Sequence, residues 1–485
     1  MELSFEQQNA YDKYIQRQNI FLTGPGGSGK SELIRRIYQN ATSRNKNIYV
    51  TALTGCAAVL LNCKAKTLHS WAGVGLGNGL LELLIKKVTN NKFTKKMWRE
   101  TDILVVDEVS MLSLKLFNLL NAIGKAVRGN SKPFGGIQMI FSGDFYQLPP
   151  VGDRDDPESM QFCFESGDWN SIFPIECQIQ LIKIFRQKDE TYSSILNQIR
   201  VGKIKRRSNE MLLQYVGRKY DEGLVVEPTK LFPTKYMVEN INNTKMVELN
   251  TQETIYELKY IEDLKMNKDE KAVRRCYSDL AIKMDLDFLS NSIICDKKLT
   301  IKLGCQVMCI VNIKTKSDDD LSELEICNGS QGLVTGFCTI TGDPIVKYNN
   351  GVEKTMSRHV WISDKIPGIG ISQIPLILAW ALTIHKSQGS TLDSAEIDVG
   401  SGIFECGQTY VALSRVKDMN GLYLTSFDVN KIKINKKVKE FYNSLTEAQK
   451  LLPVASPIVA SLIVPLIVPL IEATEVELVD EKYED

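Results

Sequence analysis

The chain has 485 residues, 43% of them hydrophobic and 24% charged, with a formal net charge of +1; these values exclude a disordered or fibrous chain, and the length predicts about three domains. Eleven cysteines occur without a CxxC pair or a zinc spacing, and three histidines (His69, His359 and His385) are too few for a histidine-rich metal site, so reduced thiols in a soluble, intracellular protein are expected. The charge is uneven, because seven acidic residues and one lysine follow position 450; that leaves about +7 on the body, a balance that suits a polyanionic partner.

The N-terminal MELSFEQQNAYDKY is polar and lacks the apolar core of a signal peptide. The first strand is read at Ile20-Phe21-Leu22-Thr23. It runs directly into GPGGSGKS, and the residues that follow carry Leu33, Ile34, Ile37 and Tyr38 at helical spacing. Strand, glycine loop and helix in this order make a phosphate cradle. Gly24, Gly26, Gly27 and Gly29 let the backbone N–H groups of the loop, that of Ser28 included, turn on the phosphates, and the helix N-terminus adds its positive dipole end. Lys30 can then reach the β- and γ-phosphates, while the Ser31 hydroxyl can hold Mg²⁺. The chain is therefore expected to bind a nucleoside triphosphate.

The apolar run Ile103-Leu104-Val105-Val106 predicts a buried strand that ends in Asp107-Glu108. A carboxylate at the end of a core strand beside a phosphate loop is where a Mg²⁺ water shell must be held, which makes Asp107 a metal candidate. Glu108 is suited to orient or deprotonate an attacking water. A further strand, Met139-Ile140-Phe141-Ser142, leads into GDFYQLPP, where Gln147 is placed to sense a γ-phosphate.

Ten short stretches in this order, LSFEQQNAY, GPGGSGKS, TALTGCAA, TLHSWAG, VVDEVSML, FSGDFYQLPP, LIKIFRQ, NGSQGLV, LTIHKSQGSTLD and YVALSRV, resemble the superfamily 1 DNA helicases of the Pif1 type, relatives of the RecD-like enzymes. The resemblance runs from about Leu3 to about Leu424. It implies an α/β fold of two RecA-like P-loop NTPase domains with ATP in the cleft between them, an inserted small β-rich, SH3-like subdomain and a small wedge insertion. It also implies that Arg186 and Arg415 are arginine fingers that stabilise charge on the γ-phosphoryl group. On the same grounds Gln7 reads the adenine edge, Gly389 belongs to the nucleotide site, and ATP with Mg²⁺ is the expected cofactor set.

The same likeness places Thr54, Gly55, Thr67 and His69 in the first domain against a single-stranded DNA backbone. Thr383, His385, Lys386, Ser387, Gln388 and Thr391 form the matching strip in the second. Hydroxyl and basic side chains there can bond phosphates without reading bases. Trp71, Phe145 and Tyr146 are candidate stacking rings, for which core packing is the favoured reading.

The implied organisation is a first RecA-like domain over about 1–180 with a wedge insertion near 74–99, and a second over about 181–300 plus 376–445, with the β-rich subdomain at 301–375. The tail, 446–485, contains 21 uncharged residues from Leu451 to Ile471, enough to span a bilayer. Four prolines interrupt them, and a repeated IVPL favours an extended or disordered tail, or a segment that docks a protein partner, over membrane insertion. The expected activity is ATP-dependent 5′→3′ unwinding by a monomer on single-stranded and forked duplex DNA. A DNA-stimulated ATPase or translocase subunit of a recombination or nuclease complex, without processive unwinding, is the main alternative. A catalytically silent binding module and an RNA helicase are the others.

Overall fold

The computed structural model describes residues 3–450 apart from 55–56, 59–60, 62, 76, 78–80, 188, 222–225, 294, 315–323, 327 and 364–365. Gly55 and the tail from 451 therefore lie outside the described residues. Among the described residues, no helix is long and apolar enough to cross a membrane.

Six parallel strands build the first sheet: β1 (Ile20–Thr23), β2 (Ile48–Ala52), β3 (Lys66–Thr67), β4 (Ile103–Asp107), β5 (Gln138–Ser142) and β6 (Gln178–Gln180), in the order β3-β2-β4-β5-β1-β6. A parallel sheet is covered on both faces, so its central strands read as unbroken apolar runs. Alternate side chains go to opposite layers. Ile20, Leu22, Val105 and Ile140 pack under the helix Lys30–Ser43 through its Leu33, Ile34 and Ile37, while Phe21, Leu104, Val106 and Phe141 meet Phe117, Leu120 and Ile123 of the helix Leu114–Arg128. The segment near 74–99 contains the helices Leu81–Asn90 and Lys92–Glu100. They fold onto the second of these layers through Leu84, Val88 and Trp98, and Phe93 stacks on Tyr277 with ring centroids 4.4 Å apart.

A second parallel sheet has the strands Ala381–Thr383, Thr229–Phe232, Ala395–Val399 and Leu422–Phe427 side by side in that order. Its core includes Tyr192, Ile195, Leu196 and Ile199 of the helix Glu190–Arg200. Both sheets fit the mixed α/β, two-RecA-domain expectation.

The β-rich part is wider than 301–375. Its five-stranded antiparallel sheet is closed by Leu376–Leu378, and Tyr256, Leu299 and Ile301 belong to the same core. The range 376–445 is likewise not all second domain. The C-terminal helix Lys436–Lys450 puts Val438, Tyr442 and Leu445 into the first-sheet core, because its apolar stripe finds the aromatic layer of Phe21, Phe145 and Trp169 there. It also carries helical structure through 446–450, within the range read as tail.

Candidate active site in the interdomain cleft

The phosphate loop is packed too tightly for side chains at Gly24, Gly27 and Gly29. Gly27 and Gly29 have φ of +81° and +83°; a Cβ on Gly27 would lie 2.4 Å from Cβ of Arg186, and one on Gly29 would lie 2.5 Å from Nε2 of Gln7. Gly26 N–H donates to Tyr410 Oη at 2.8 Å. The helix Lys30–Ser43 starts at the loop, with Ser31 half-buried in its first turn. Lys30 Nζ donates to the carbonyls of Gly24 (2.7 Å) and Pro25 (3.0 Å). Burial pushes the Lys30 pKa down, opposed by the carboxylates of Asp144, Glu108 and Asp107. Gln7 is buried against the loop, with Nε2 3.4 Å from the carbonyls of Ser28 and Gly29, whereas Gln8 donates to Asp12 on the exposed side of its helix.

At the end of β4, Glu108 takes φ +56°, a left-handed conformation that costs a non-glycine residue about 1–3 kcal/mol and is held here at the site. Burial, then the neighbouring Glu108 charge, push Asp107 up to about 6. The native state therefore holds its proton on Asp107 to higher pH than the unfolded chain does, and stability falls as pH rises from the usual carboxylate range toward about 6. Asp107→Asn removes the buried charge, so its melting temperature should exceed that of the parent at pH 7.5, with the advantage shrinking as pH is lowered toward 4.5. Thermal melts across this range check it; an advantage independent of pH contradicts the buried-carboxylate account.

The opposite wall comes from the chain beyond β6. Arg186 lies against Gly27 and donates to the Ser414 carbonyl at 3.3 Å. Arg415 is fully buried; its guanidinium donates to Val411 O (2.8 Å), Ser390 O (3.3 Å) and Ser414 Oγ (2.8 Å). Burial lowers both pKa values, that of Arg415 to about 10, where the Arg186 charge adds to the drop and Glu108 opposes it. Lys30, Asp107, Glu108, Arg186 and Arg415 thus share one electrostatic cluster.

Several partners in the cleft were not anticipated from the sequence. Gln388, placed there in the strand-binding strip, instead donates from Nε2 to Glu108 Oε2 at 3.1 Å and to Gln147 Oε1 at 3.4 Å. Arg200, at the end of the helix Glu190–Arg200, forms a two-pronged ion pair with the buried Asp144 at 2.7 and 2.8 Å. Tyr442 of the C-terminal helix lies within 2.6 Å of Thr23 Oγ1, accepts from Phe145 N–H at 3.1 Å and stacks on Tyr146 with centroids 4.7 Å apart. Asp144 and Tyr410 lie inside motifs legible in the sequence, but nothing local marks Arg200 or Tyr442.

The strip residues divide. Thr54 Oγ1 accepts from Ala57 N–H, Thr67 caps the helix Leu68–Ala72, and Thr383 Oγ1 accepts from Lys386 N–H, which leaves each O–H as a donor. Lys386 is exposed; His69, His385 and Thr391 are half-buried. Burial lowers the pKa of both histidines. His69 lines an open groove of about 770 Å³ with Lys115 and Arg154. Ser387 does not belong to the strip. It is fully buried and its hydroxyl donates inward to Ile384 O at 2.8 Å, because the turn that exposes Lys386 points the next side chain into the core. Gly389 has φ +85° in the same turn. Trp71, Phe145 and Tyr146 are core residues. The exposed ring beside the strip is Phe404, 56% accessible and nearly parallel to His385 at 6.3 Å.

Comparison with known proteins agrees with this architecture. Residues 2–210 match the PIF1-like helicase family. The ATP-dependent DNA helicase PIF1 of Emericella nidulans is 33% identical over 91% of the chain, which spans 62% of that relative's length. The crystal structure of Pif1 helicase from Candida albicans superposes with a TM-score of 0.72 at 34% identity, covering 92% of this chain and all of that one. Bacteroides Pif1 bound to ssDNA gives 0.61 at 26% identity, covering 93% and 98%. The chain belongs to the PIF1-like helicase family.

Proposed function

We propose that the chain is an ATP-dependent 5′→3′ DNA helicase that moves along single-stranded DNA and opens forked duplex, working as a monomer. The observation that carries this reading is the cleft itself, in which Arg186 and Arg415, from the chain beyond β6, act on Glu108, and Glu108 in turn acts on the phosphate-loop lysine. Such a site completes its positive charge only when the two domains close, so hydrolysis can be tied to their relative movement. The relatives' name, ATP-dependent DNA helicase, supports the same activity and ATP as its fuel.

The residues present fit a bound Mg²⁺. Asp107 is a carboxylate held in a buried site beside a second one, a charge arrangement that a dication relieves, and Ser31 lies in the helix turn next to the loop. When bound, the ion would neutralise charge on the β- and γ-phosphates. Gln7 would contact the adenine and Gln147 the γ-phosphate. Glu108 would orient the attacking water and take its proton.

In this reading the first RecA-like domain is built on the six-stranded sheet, with the helices of 81–100 as its wedge. The second is built on the four-stranded sheet, and the antiparallel segment between its parts is the SH3-like subdomain. Thr54, Gly55, Thr67 and His69 on one side, and Thr383, His385, Lys386 and Thr391 on the other, carry the strand, and Phe404 joins them as a stacking ring. The tail is a candidate docking segment for a protein partner.

Because grip favours the closed cleft, single-stranded DNA should stimulate ATP hydrolysis at least tenfold. Its affinity should fall with salt and depend little on base sequence. Gln147→Ala should keep DNA affinity and lose most of the stimulation. Phosphate release with and without an oligonucleotide measures this, and hydrolysis indifferent to DNA contradicts the proposal.

A further inference from the structure

Gln388 is one of several side chains that join the two walls of the cleft, and it reaches Glu108 and Gln147 together. Its turn is stiff: Lys386 N–H donates to Thr383 Oγ1 at 3.1 Å, Gln388 N–H to His385 O at 3.2 Å and Ser390 N–H to Ser387 O at 3.1 Å. Lys386 stands on the solvent side of this turn, and Gln388, 4% exposed, stands on the cleft side. The amide nitrogen faces Glu108 and donates to its carboxylate, so the amide oxygen is not engaged there. That oxygen is buried and has no hydrogen-bond partner among the described residues. Leaving a buried acceptor unmade is costly enough that such groups are usually filled. The group nearest to hand in the reaction is the water that Glu108 activates.

We infer that Gln388 is a catalytic residue contributed by the second domain: its Nε2–H fixes Glu108 and Gln147, and its Oε1 accepts a hydrogen bond from the attacking water. The inference rests on the ATP-hydrolysing reading of the cleft. In the step concerned, the water oxygen bonds to the γ-phosphorus while the bond to the β,γ-bridging oxygen breaks. The electron pair leaves on ADP and the water proton passes to Glu108. Two acceptors, Glu108 and Gln388, then define where the water sits. Since Gln388 and Lys386 share one rigid turn, a strand held by Lys386 also places Oε1 and the Glu108 carboxylate. This gives DNA stimulation a physical route within the closed cleft.

The test is phosphate release by the full chain bearing Gln388→Ala or the nearly isosteric Gln388→Met, at saturating ATP with and without saturating oligo-dT. Rates are counted per nucleotide-binding site, titrated with a fluorescent ATP analogue so that unfolded protein does not enter. With DNA present, kcat should fall about 10- to 100-fold, while KM for ATP and the Kd for oligo-dT stay within about threefold of the parent. Gln388→Glu keeps an acceptor but adds a charge beside Glu108, and should fall at least as far. Weakened DNA or ATP binding with kcat retained would overturn the inference and return Gln388 to the strand-binding strip. If the parent chain shows no stimulation by DNA, the helicase reading fails separately, and Gln388 is then judged by the same kcat criterion without DNA.

Discussion

Arg186→Ala is expected to lower ATP turnover by about 10³-fold or more, the size of an arginine-finger deletion, with the melting temperature within a few degrees of the parent. The separation follows from its surroundings: Arg186 is only half-buried and makes one long hydrogen bond, to Ser414 O at 3.3 Å, so little folded-state structure depends on it. Arg415 differs. Its alanine variant removes the guanidinium donor from buried Ser390 O and Ser414 Oγ, while Val411 O keeps the Ser414 hydroxyl, so the loss of turnover should come with a loss of stability of about 1–3 kcal/mol. Steady-state phosphate release alongside thermal melts checks both. If Arg186→Ala melts far below the parent while keeping full turnover per folded molecule, that arginine is structural.

Glu108→Gln should reduce turnover by roughly 10²- to 10⁴-fold while ATP still binds. The substitution keeps shape and hydrogen-bonding reach but removes the base. It also turns the Gln388 contact into an amide–amide pair, which either amide can satisfy by rotating. ATP affinity measured by equilibrium fluorescence, beside the hydrolysis rate, separates the two effects. Near-normal hydrolysis would remove Glu108 from its role and the inference about Gln388 with it.

What the sequence makes legible is what chemistry places locally. The phosphate loop, Asp107-Glu108 and Gln147 each follow a short apolar run at a strand end, and the unbroken apolar runs of β1 and β4 mark strands buried on both faces. Distant pairings are not legible in this way. Nothing near Arg200 indicates that its partner is Asp144, 56 residues earlier, and the amphipathic stripe of Lys436–Lys450 does not say which core it will join. Ser387 and Gln388 show the same limit at the scale of one turn, where a one-residue step decides between solvent, core and cleft. Membership of a motif located these residues without aiming their side chains.

Directional unwinding tests the proposed activity most directly. Two duplexes of identical sequence, one with a 5′ single-stranded tail and one with a 3′ tail, are incubated with the chain with and without ATP, and strand release is followed. Opening of the 5′-tailed duplex alone, and only with ATP, is the predicted result. Opening of only the 3′-tailed duplex contradicts the assigned polarity, and failure to open either while DNA still stimulates hydrolysis contradicts unwinding itself and leaves a translocase.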